Sequence, residues 1–130
     1  MINSIELEIV KKYIKKEKQE RIMWELGNCK KRGQIMSQRF AGPDMFREDC
    51  MQPIEYMKPS LMEKCLFQLN NVSDVYFIGE TYIGQMSLQH AVLRCNEGEM
   101  CIIYCGMGIG YYQGEQDMGS PPRFLLINKD

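Results

Sequence analysis

The chain of 130 residues is long enough for one domain with a substantial core, and its 45% hydrophobic and 25% charged residues are typical of a globular protein. No apolar run approaches the roughly 18 residues that a membrane helix needs. The opening "MINSIELEIVKK" lacks the basic start and apolar middle of a signal peptide, so we expect a cytoplasmic protein that does not contact a membrane.

The net charge of −1 conceals an uneven distribution. Residues 1–40 carry ten Lys or Arg against five Glu, whereas residues 41–130 carry six against twelve acids. Such an asymmetry is found in chains with a basic arm for nucleic acid. It is also found where two faces attract each other within one molecule or between copies, so a homodimer is one interpretation.

A long amphipathic helix is predicted first. Asn3 is a favourable N-cap residue, Glu6 follows at capping-box spacing, and apolar residues recur at helical spacing as far as Leu26. Glu17 and Glu20 fall within or beside the apolar stripe. A helix that buries this stripe must therefore bend there or pair the two acids with a lysine from elsewhere. The lysines opposite the stripe form a basic face of Lys11, Lys12, Lys15, Lys16 and Lys18.

Two further helices are predicted in the first half of the chain, separated by an irregular connection. One covers residues of about 30 to 40 and is weakened by Gly33. Three prolines predict a long connection up to Ser60, which is expected to cap the next helix with Glu63 at capping-box spacing. Its predicted buried stripe is Leu61, Cys65, Leu66 and Leu69.

The second half of the chain is rich in β-forming residues. "DVYFIGE", "MCIIYC", "IGYYQG" and "RFLLIN" are predicted strands, and "MSLQHAVLRC" is a predicted helix capped by Ser87. The whole chain, 1–130, is therefore predicted to be a single α+β domain. Its mainly helical residues 1–70 would pack on a four-stranded mixed sheet of β-α-β-β-β order in residues 71–130, with a right-handed first crossover.

The stretch "CGMGIG" is interpreted as a hairpin turn in which Gly106, Gly108 or Gly110 adopts a positive φ. A dinucleotide fingerprint fails because its sixth place is Tyr111 and a strand follows in place of a helix. The alternative is a ligand or partner pocket at the Gly106–Tyr112 loop. Its contacts would be Gly106, Gly108, Tyr111, Tyr112 and Glu115.

The six cysteines have no zinc or redox spacing, and His90 is predicted to be exposed, so neither a metal nor a cofactor is expected. Cys101 and Cys105 would share one face of a strand, too far apart for a disulfide. Cys105 would need a lowered pKa to act as a nucleophile. Paired carboxylates are possible among the acids near strand ends, which are Glu80, Glu97, Glu99, Glu115 and Asp117.

The succession "YFIGE", "MSLQHAVLRC", "CIIYCGMGIGYYQGE" and "RFLLIN" resembles an uncharacterised family of small bacterial proteins. In that family a glycine-containing turn leads into an aromatic strand that ends in "YxGE". The opening "EIVKKYIKKEKQERIMWELGNCKKR" is similar to the opening of that family. The resemblance implies no activity and no site residue. Small cytoplasmic proteins of this build often bind another protein, as immunity proteins that block a toxin do.

Three functions follow from these observations. The first is a non-enzymatic protein-binding module, of the immunity type, whose acidic C-terminal part suits a basic partner. The second is a nucleic-acid-binding protein that uses the basic face together with Arg21, although the pI of about 5.9 makes this a weaker hypothesis. The third is a small enzyme or ligand-binding protein with its pocket at the glycine-rich loop.

Overall fold

The first helix begins at the predicted cap. The side chain of Asn3 accepts a hydrogen bond of 2.8 Å from the backbone N–H of Glu6. Helix α1 covers Ser4–Tyr13 and helix α2 covers Lys16–Leu26. These elements come from a computed structural model that describes residues 2–116 and 119–130.

The prediction of one continuous helix up to Leu26 is wrong, because the chain leaves the helix at Ile14. Ile14 forms an isolated antiparallel bridge with Phe46, and the N–H of Arg47 donates to the carbonyl of Tyr13 at 2.8 Å. A distant segment thus replaces the helical hydrogen bonds at this point. Helix α2 starts anew in another register, and this register turns Glu17 and Glu20 to solvent.

The segment between α2 and the next long helix contains more structure than its prolines predict. It contains a strand that is not predicted from the sequence, which follows two 3-10 turns and pairs antiparallel with the last strand of the chain. The elements in order are a 3-10 turn at Arg32–Gln34, helix α3 at Ile35–Arg39, 3-10 turns at Pro43–Met45 and Glu48–Cys50, and β1 at Met51–Pro53.

Helix α4 covers Pro59–Asn70, and its predicted start is wrong by two residues. Lys58 is the N-cap and Pro59 occupies the first turn, where its missing N–H is not needed. The helix rests on Met62 and Leu66, so its apolar row at positions 61, 65 and 69 lies along a flank that the sheet does not cover. Of the predicted buried stripe, only Leu66 is buried, Cys65 is half-buried, and Leu61 and Leu69 are exposed.

The α+β class is correct, but the predicted four-stranded mixed sheet is wrong. The elements after α4 are β2 at Asp74–Gly79, β3 at Ile83–Ser87, α5 at Leu88–Asn96, β4 at Cys101–Gly106, β5 at Ile109–Gln113 and β6 at Arg123–Ile127. The sheet has six strands, all antiparallel, in the order β1-β6-β5-β4-β2-β3. Strand β3 turns back on β2 before helix α5 begins, so β4 runs antiparallel to β2 and the predicted right-handed parallel crossover is wrong.

Helices cover both faces of the sheet. On face A, which carries α1 to α3, side chains such as Tyr13, Phe46 and Tyr112 form one core. On face B, which carries α4 and α5, Leu66, Phe77 and others form a second core. The predicted helical half is therefore divided between the two faces. The central strands are buried throughout, which explains why their sequences do not alternate between apolar and polar residues.

Helix α5 has the cap and the buried face that the sequence predicts. Ser87 caps it by accepting the N–H of His90 at 3.1 Å, and His90 is exposed as predicted. No helix in residues 2–116 or 119–130 combines the length and apolar character needed to cross a membrane. The buried residues of α5 are the predicted Leu88, Ala91, Val92 and Cys95.

Candidate binding sites

The glycine-rich stretch forms the turn between β4 and β5, as the sequence predicts. Met107 and Gly108 are its two central residues, with φ of +55° and +76°, which is the backbone of a type I′ hairpin. Gly106 precedes the turn with φ of +85° at a bulge in β4. Gly110 serves a different purpose, because a Cβ there would lie 2.7 Å from the carbonyl oxygen of Ile103.

The residues of the predicted loop pocket are not brought together. Tyr111 is buried on face B, where its hydroxyl donates to Gln113 Oε1 at 2.7 Å. Tyr112 is buried on face A, where its hydroxyl donates to the carbonyl of Phe40 at 2.7 Å. Burial raises the pKa of both hydroxyls. Gly106 and Gly108 remain at the turn, and Glu115 is exposed beyond the end of β5.

Cys105 lacks the properties of a nucleophile. It is buried on face B, and burial raises the pKa of its thiol to about 12. Cys101 lies on the same face, as predicted, with its Sγ 2.9 Å from that of Cys95. A catalytic thiolate needs a lowered pKa and solvent access. Within the described parts of the chain, no three His, Cys, Asp or Glu side chains cluster in a way that would hold a metal ion.

The predicted basic face is divided between two helices. Its members Lys11 and Lys12 lie in α1, and the others follow the helix break. Lys12 Nζ donates to the carbonyl oxygen of Asp130 at 2.6 Å, which occupies one of its donors. The cleft that follows the break mixes both signs of charge, since it is lined by Lys15, Lys16, Glu17, Gln19, Arg47, Glu48 and Asp49. The acidic side chains beside these lysines reduce the affinity that the surface could have for phosphate groups.

Two buried carboxylates that are not predicted from the sequence, Glu6 and Glu25, hold the N-terminal segments together. Glu6 accepts two hydrogen bonds from Arg32, at 3.1 and 2.7 Å, and one of 2.5 Å from the hydroxyl of Tyr76. Glu25 accepts two from Arg39, at 2.9 and 2.7 Å. Burial alone would raise the pKa of Glu6, but its hydrogen bonds and the Arg32 charge outweigh burial and lower it. Hydrogen bonding to Arg39 lowers the pKa of Glu25 against the effect of burial.

Two of the acids near strand ends meet at the β2–β3 turn. The N–H of Glu80 donates to Glu99 Oε2 at 2.9 Å, and the N–H of Met100 donates to Glu80 Oε2 at 3.0 Å. Arg94 binds Glu99 with two hydrogen bonds, of 2.9 and 3.1 Å. These carboxylates therefore hold the turn and do not form a free acid pair. Asp117 lies outside the described residues.

Strand β3 forms one edge of the sheet, and half of its backbone groups point away from β2. The N–H of Gly79 donates to the carbonyl of Tyr82 at 2.9 Å just before β3, and the N–H of Leu88 donates to that of Ser73 at 2.7 Å just after it. These bonds recur at every second residue of an antiparallel pair. The N–H groups that point outward are those of Ile83, Gln85 and Ser87. None of them donates a hydrogen bond within the described residues, whereas the outward carbonyl of Gln85 accepts one of 3.0 Å from the hydroxyl of Tyr82.

An acidic cleft adjoins this edge on face A. It has a volume of about 280 Å³, and Gln85 forms its β3 side. Glu8 and Asp74 line it, whereas none of its described lining residues is basic. Glu8 accepts a hydrogen bond from the hydroxyl of Tyr104, and Asp74 is exposed opposite Ser87 in the β2–β3 pairing. The cleft therefore suits a cationic side chain that approaches along β3.

Comparisons of the chain with protein families, with curated proteins and with solved structures gave no match.

Proposed function

We propose that the protein is a non-enzymatic binding module, and that a strand of a basic protein partner pairs with the edge of its sheet at β3. The observation that carries this proposal is the row of outward N–H groups on a strand, "IGQMS", that has no charge and no proline to block pairing. A strand added to such an edge gains its affinity from backbone hydrogen bonds and its specificity from neighbouring side-chain pockets.

The charges around the edge favour a basic partner. Glu8 and Asp74 line the cleft beside the middle and end of β3, and Glu80 is exposed at the turn that precedes it. A lysine or arginine of the added strand would find two carboxylates in a cleft of about 280 Å³. Complementary charge also accelerates the encounter between partners.

The same charges disfavour a second copy of the chain as the occupant. Antiparallel self-pairing centred on Gln85 would place Ile83 opposite Ser87 of the other copy. Ser87 lies beside Asp74 in the β2–β3 pairing, and Glu80 lies three residues before Ile83. Acidic groups of the two copies would therefore approach each other at both ends of the joint strand pair, and like charges there are destabilising.

Among basic partners, a toxin domain that acts on nucleic acid in the bacterial cytoplasm fits best, and the protein would then be of the immunity type. Two features support this assignment: the acidic surface beside β3, and the resemblance of the sequence to a family of small bacterial proteins. Nucleases carry basic surfaces because they must bind phosphates. An acidic module that pairs with such a domain would compete with its substrate.

The test compares the parent with two variants of Gln85 in affinity capture from the source cell. Gln85→Pro removes an outward N–H without breaking a bond to β2, which an edge strand tolerates. Gln85→Thr changes the side chain and keeps the N–H. We expect one stoichiometric partner of basic pI to be captured by the parent and by the Thr variant, and lost with the Pro variant.

Amide hydrogen exchange supplies the second measurement. On binding, the amides of Ile83, Gln85 and Ser87 should become protected, whereas those of Gly84 and Met86, already bonded to β2, should change little. A partner retained by Gln85→Pro, or the absence of any stoichiometric partner, would contradict the proposal. So would a parent that is dimeric by light scattering and becomes monomeric in the Pro variant, because the occupant would then be a second copy.

A further inference from the structure

A second cleft opens on face B, three strands away from β3. It lies between the start of α4, the end of α5, the start of β6 and the loop residues 116 and 119–121, and it has a volume of about 290 Å³. Its floor is apolar, with Met57, Met62 and Val92. Its polar wall includes Asn96, Gln113 and Arg123. A volume near 300 Å³ is at the lower end of the range for small-molecule sites.

Arg123 is the one cationic side chain that lines this cleft among the described residues. Its Cζ lies 5.3 Å from the centroid of the Tyr56 ring, so the aromatic face helps to hold the guanidinium. The Nε of Arg123 is buried and has no hydrogen-bond partner in residues 2–116 and 119–130. The ion pairs found in those residues do not include Arg123. A buried charged donor of this kind is favourable only with an acceptor.

Three polar side chains of the wall already hydrogen-bond to other groups of the protein, and the hydroxyl of Tyr111, which lies near Arg123, donates to Gln113. Gln113 is 2% exposed, and its Nε2 donates to the carbonyls of Cys95 and Glu99 at 2.9 and 3.1 Å. Tyr56 donates its hydroxyl proton to Asn96 Oδ1 at 2.7 Å. These bonds fix the wall before any ligand arrives, which lowers the entropic cost of binding.

We infer that this cleft binds a small organic monocarboxylate. The carboxylate would accept hydrogen bonds from the Arg123 guanidinium, whose planar set of donors matches two carboxylate oxygens. The apolar part of the acid would lie against Met57 and Met62. A single cation balances one negative charge, so a monoanion with an apolar tail fits the cleft better than a phosphate dianion does.

The test uses isothermal titration of the intact chain with straight-chain monocarboxylates from acetate to octanoate. Binding should strengthen by roughly fourfold for each added methylene until the cleft is full. Hexanol and hexanamide, which lack the charge, should bind at least about tenfold more weakly than hexanoate. Arg123→Gln should reduce hexanoate binding by at least about tenfold. The matched control Lys64→Gln, which removes an exposed charge from α4, should not change it.

Several results would overturn the inference. Failure of the parent to bind any of the acids is one, and equal binding of hexanoate by Arg123→Gln is another. Inorganic phosphate bound as tightly as hexanoate would show a general anion site. Binding of the acids by Asp117→Asn but not by the parent would show that Arg123 serves a carboxylate of the chain itself. Each comparison requires the variants to unfold at the same temperature as the parent. If Arg123→Gln does not fold, Tyr56→Leu, which removes the ring that holds the guanidinium, should reduce hexanoate binding in its place.

Discussion

The backbone N–H of Asn128 donates a hydrogen bond of 2.8 Å to the carbonyl of Gly108. This contact holds the segment after β6 against the β4–β5 turn. The approach is so close that a Cβ on Gly108 would overlap the carbonyl of Asn128. Gly108 thus has two separate reasons to be glycine, its φ of +76° and the proximity of a second backbone.

Gly108→Ala should lower the free energy of unfolding by more than about 1 kcal/mol, because left-handed strain and a backbone overlap add. Gly98 has φ of +93° with open space around it, so Gly98→Ala should show strain alone, about 1 kcal/mol. Gly33→Ala, with neither feature, should stay within about 0.5 kcal/mol of the parent. Urea unfolding measures all three. Equal stabilities of the Gly108 and Gly33 variants would refute this account of the turn.

Features that depend on neighbouring residues could be predicted from the sequence. The caps at Asn3 and Ser87 and the β4–β5 turn each follow from a side chain or a backbone angle within four residues. The buried face of α5 is predicted correctly for the same reason, because the apolar residues of one unbroken helix keep a regular spacing. The break at Ile14 could not be predicted in this way, because its cause is pairing with Phe46, which is 32 positions later.

The strands and the buried acid that are not predicted from the sequence share one cause, which is that their partners lie far away along the chain. Strand β1 has three residues, and β3 has a glycine among its five, so neither carries enough β-forming residues to be recognised without its partner. The spacing of Glu6 from Asn3 predicts a capping box, but the carboxylate of Glu6 turns inward to Arg32, which lies 26 positions away. No local pattern marks Arg123 as a site residue, because its environment is assembled from segments around residues 56, 96 and 113.

Cys105 should resist alkylation in the folded protein. Its thiol is buried, and its pKa of about 12 leaves almost no thiolate at neutral pH. Cys29 is exposed and serves as the internal reference. With iodoacetamide, followed by mass spectrometry of the peptides, Cys29 should react like a free thiol and Cys105 only as fast as the protein opens. Labelling of Cys105 at the rate of Cys29 would revive the enzyme hypothesis.

Replacing Cys101 and Cys105 together by serine should lower the melting temperature. Both side chains pack in the core of face B, where a hydroxyl without a partner costs about 1–3 kcal/mol. Cys29→Ser should leave melting unchanged. Partner capture per folded molecule should also be unchanged in the double variant, because the outward N–H groups of β3 are untouched. Cys105 lines the acidic cleft, but its thiol is buried in the core of face B. A double variant that melts like the parent would show that these positions tolerate polar groups.

The basic face should not bind nucleic acid. Its lysines are divided between two helices, and Glu17, Glu48 and Asp49 line the cleft beside Lys15 and Lys16. Filter binding with duplex DNA and with RNA at low salt should therefore show no retention. Retention that falls steeply with salt, and that is lost when Lys11, Lys16 and Lys18 are all changed to glutamine, would support the nucleic-acid hypothesis instead.

Stability should decrease as the pH falls below about 4.5. Arg32 and Tyr76 hold the pKa of Glu6 below its ordinary value of 4.5, and Arg39 does the same for Glu25. The unfolded chain therefore binds protons before the folded chain does, so the stabilisation is complete above that pH and is lost as the pH falls through the folded pKa values. Urea unfolding at several pH values between 3 and 7 measures the slope.

Glu6→Gln isolates one of these contributions. At pH 7 it should lower the free energy of unfolding by roughly 1–3 kcal/mol, because Arg32 loses a charged acceptor. The loss should stay below that of a fully buried ion pair, since the Arg32 side chain is 29% exposed and water can solvate part of its charge. The variant should also lose less stability than the parent between pH 5 and pH 3, because one carboxylate no longer titrates. Glu20→Gln, at an exposed position, should match the parent in both respects. A Glu6 variant with the acid sensitivity of the parent would show that the buried Glu6–Arg32 pair does not contribute to it.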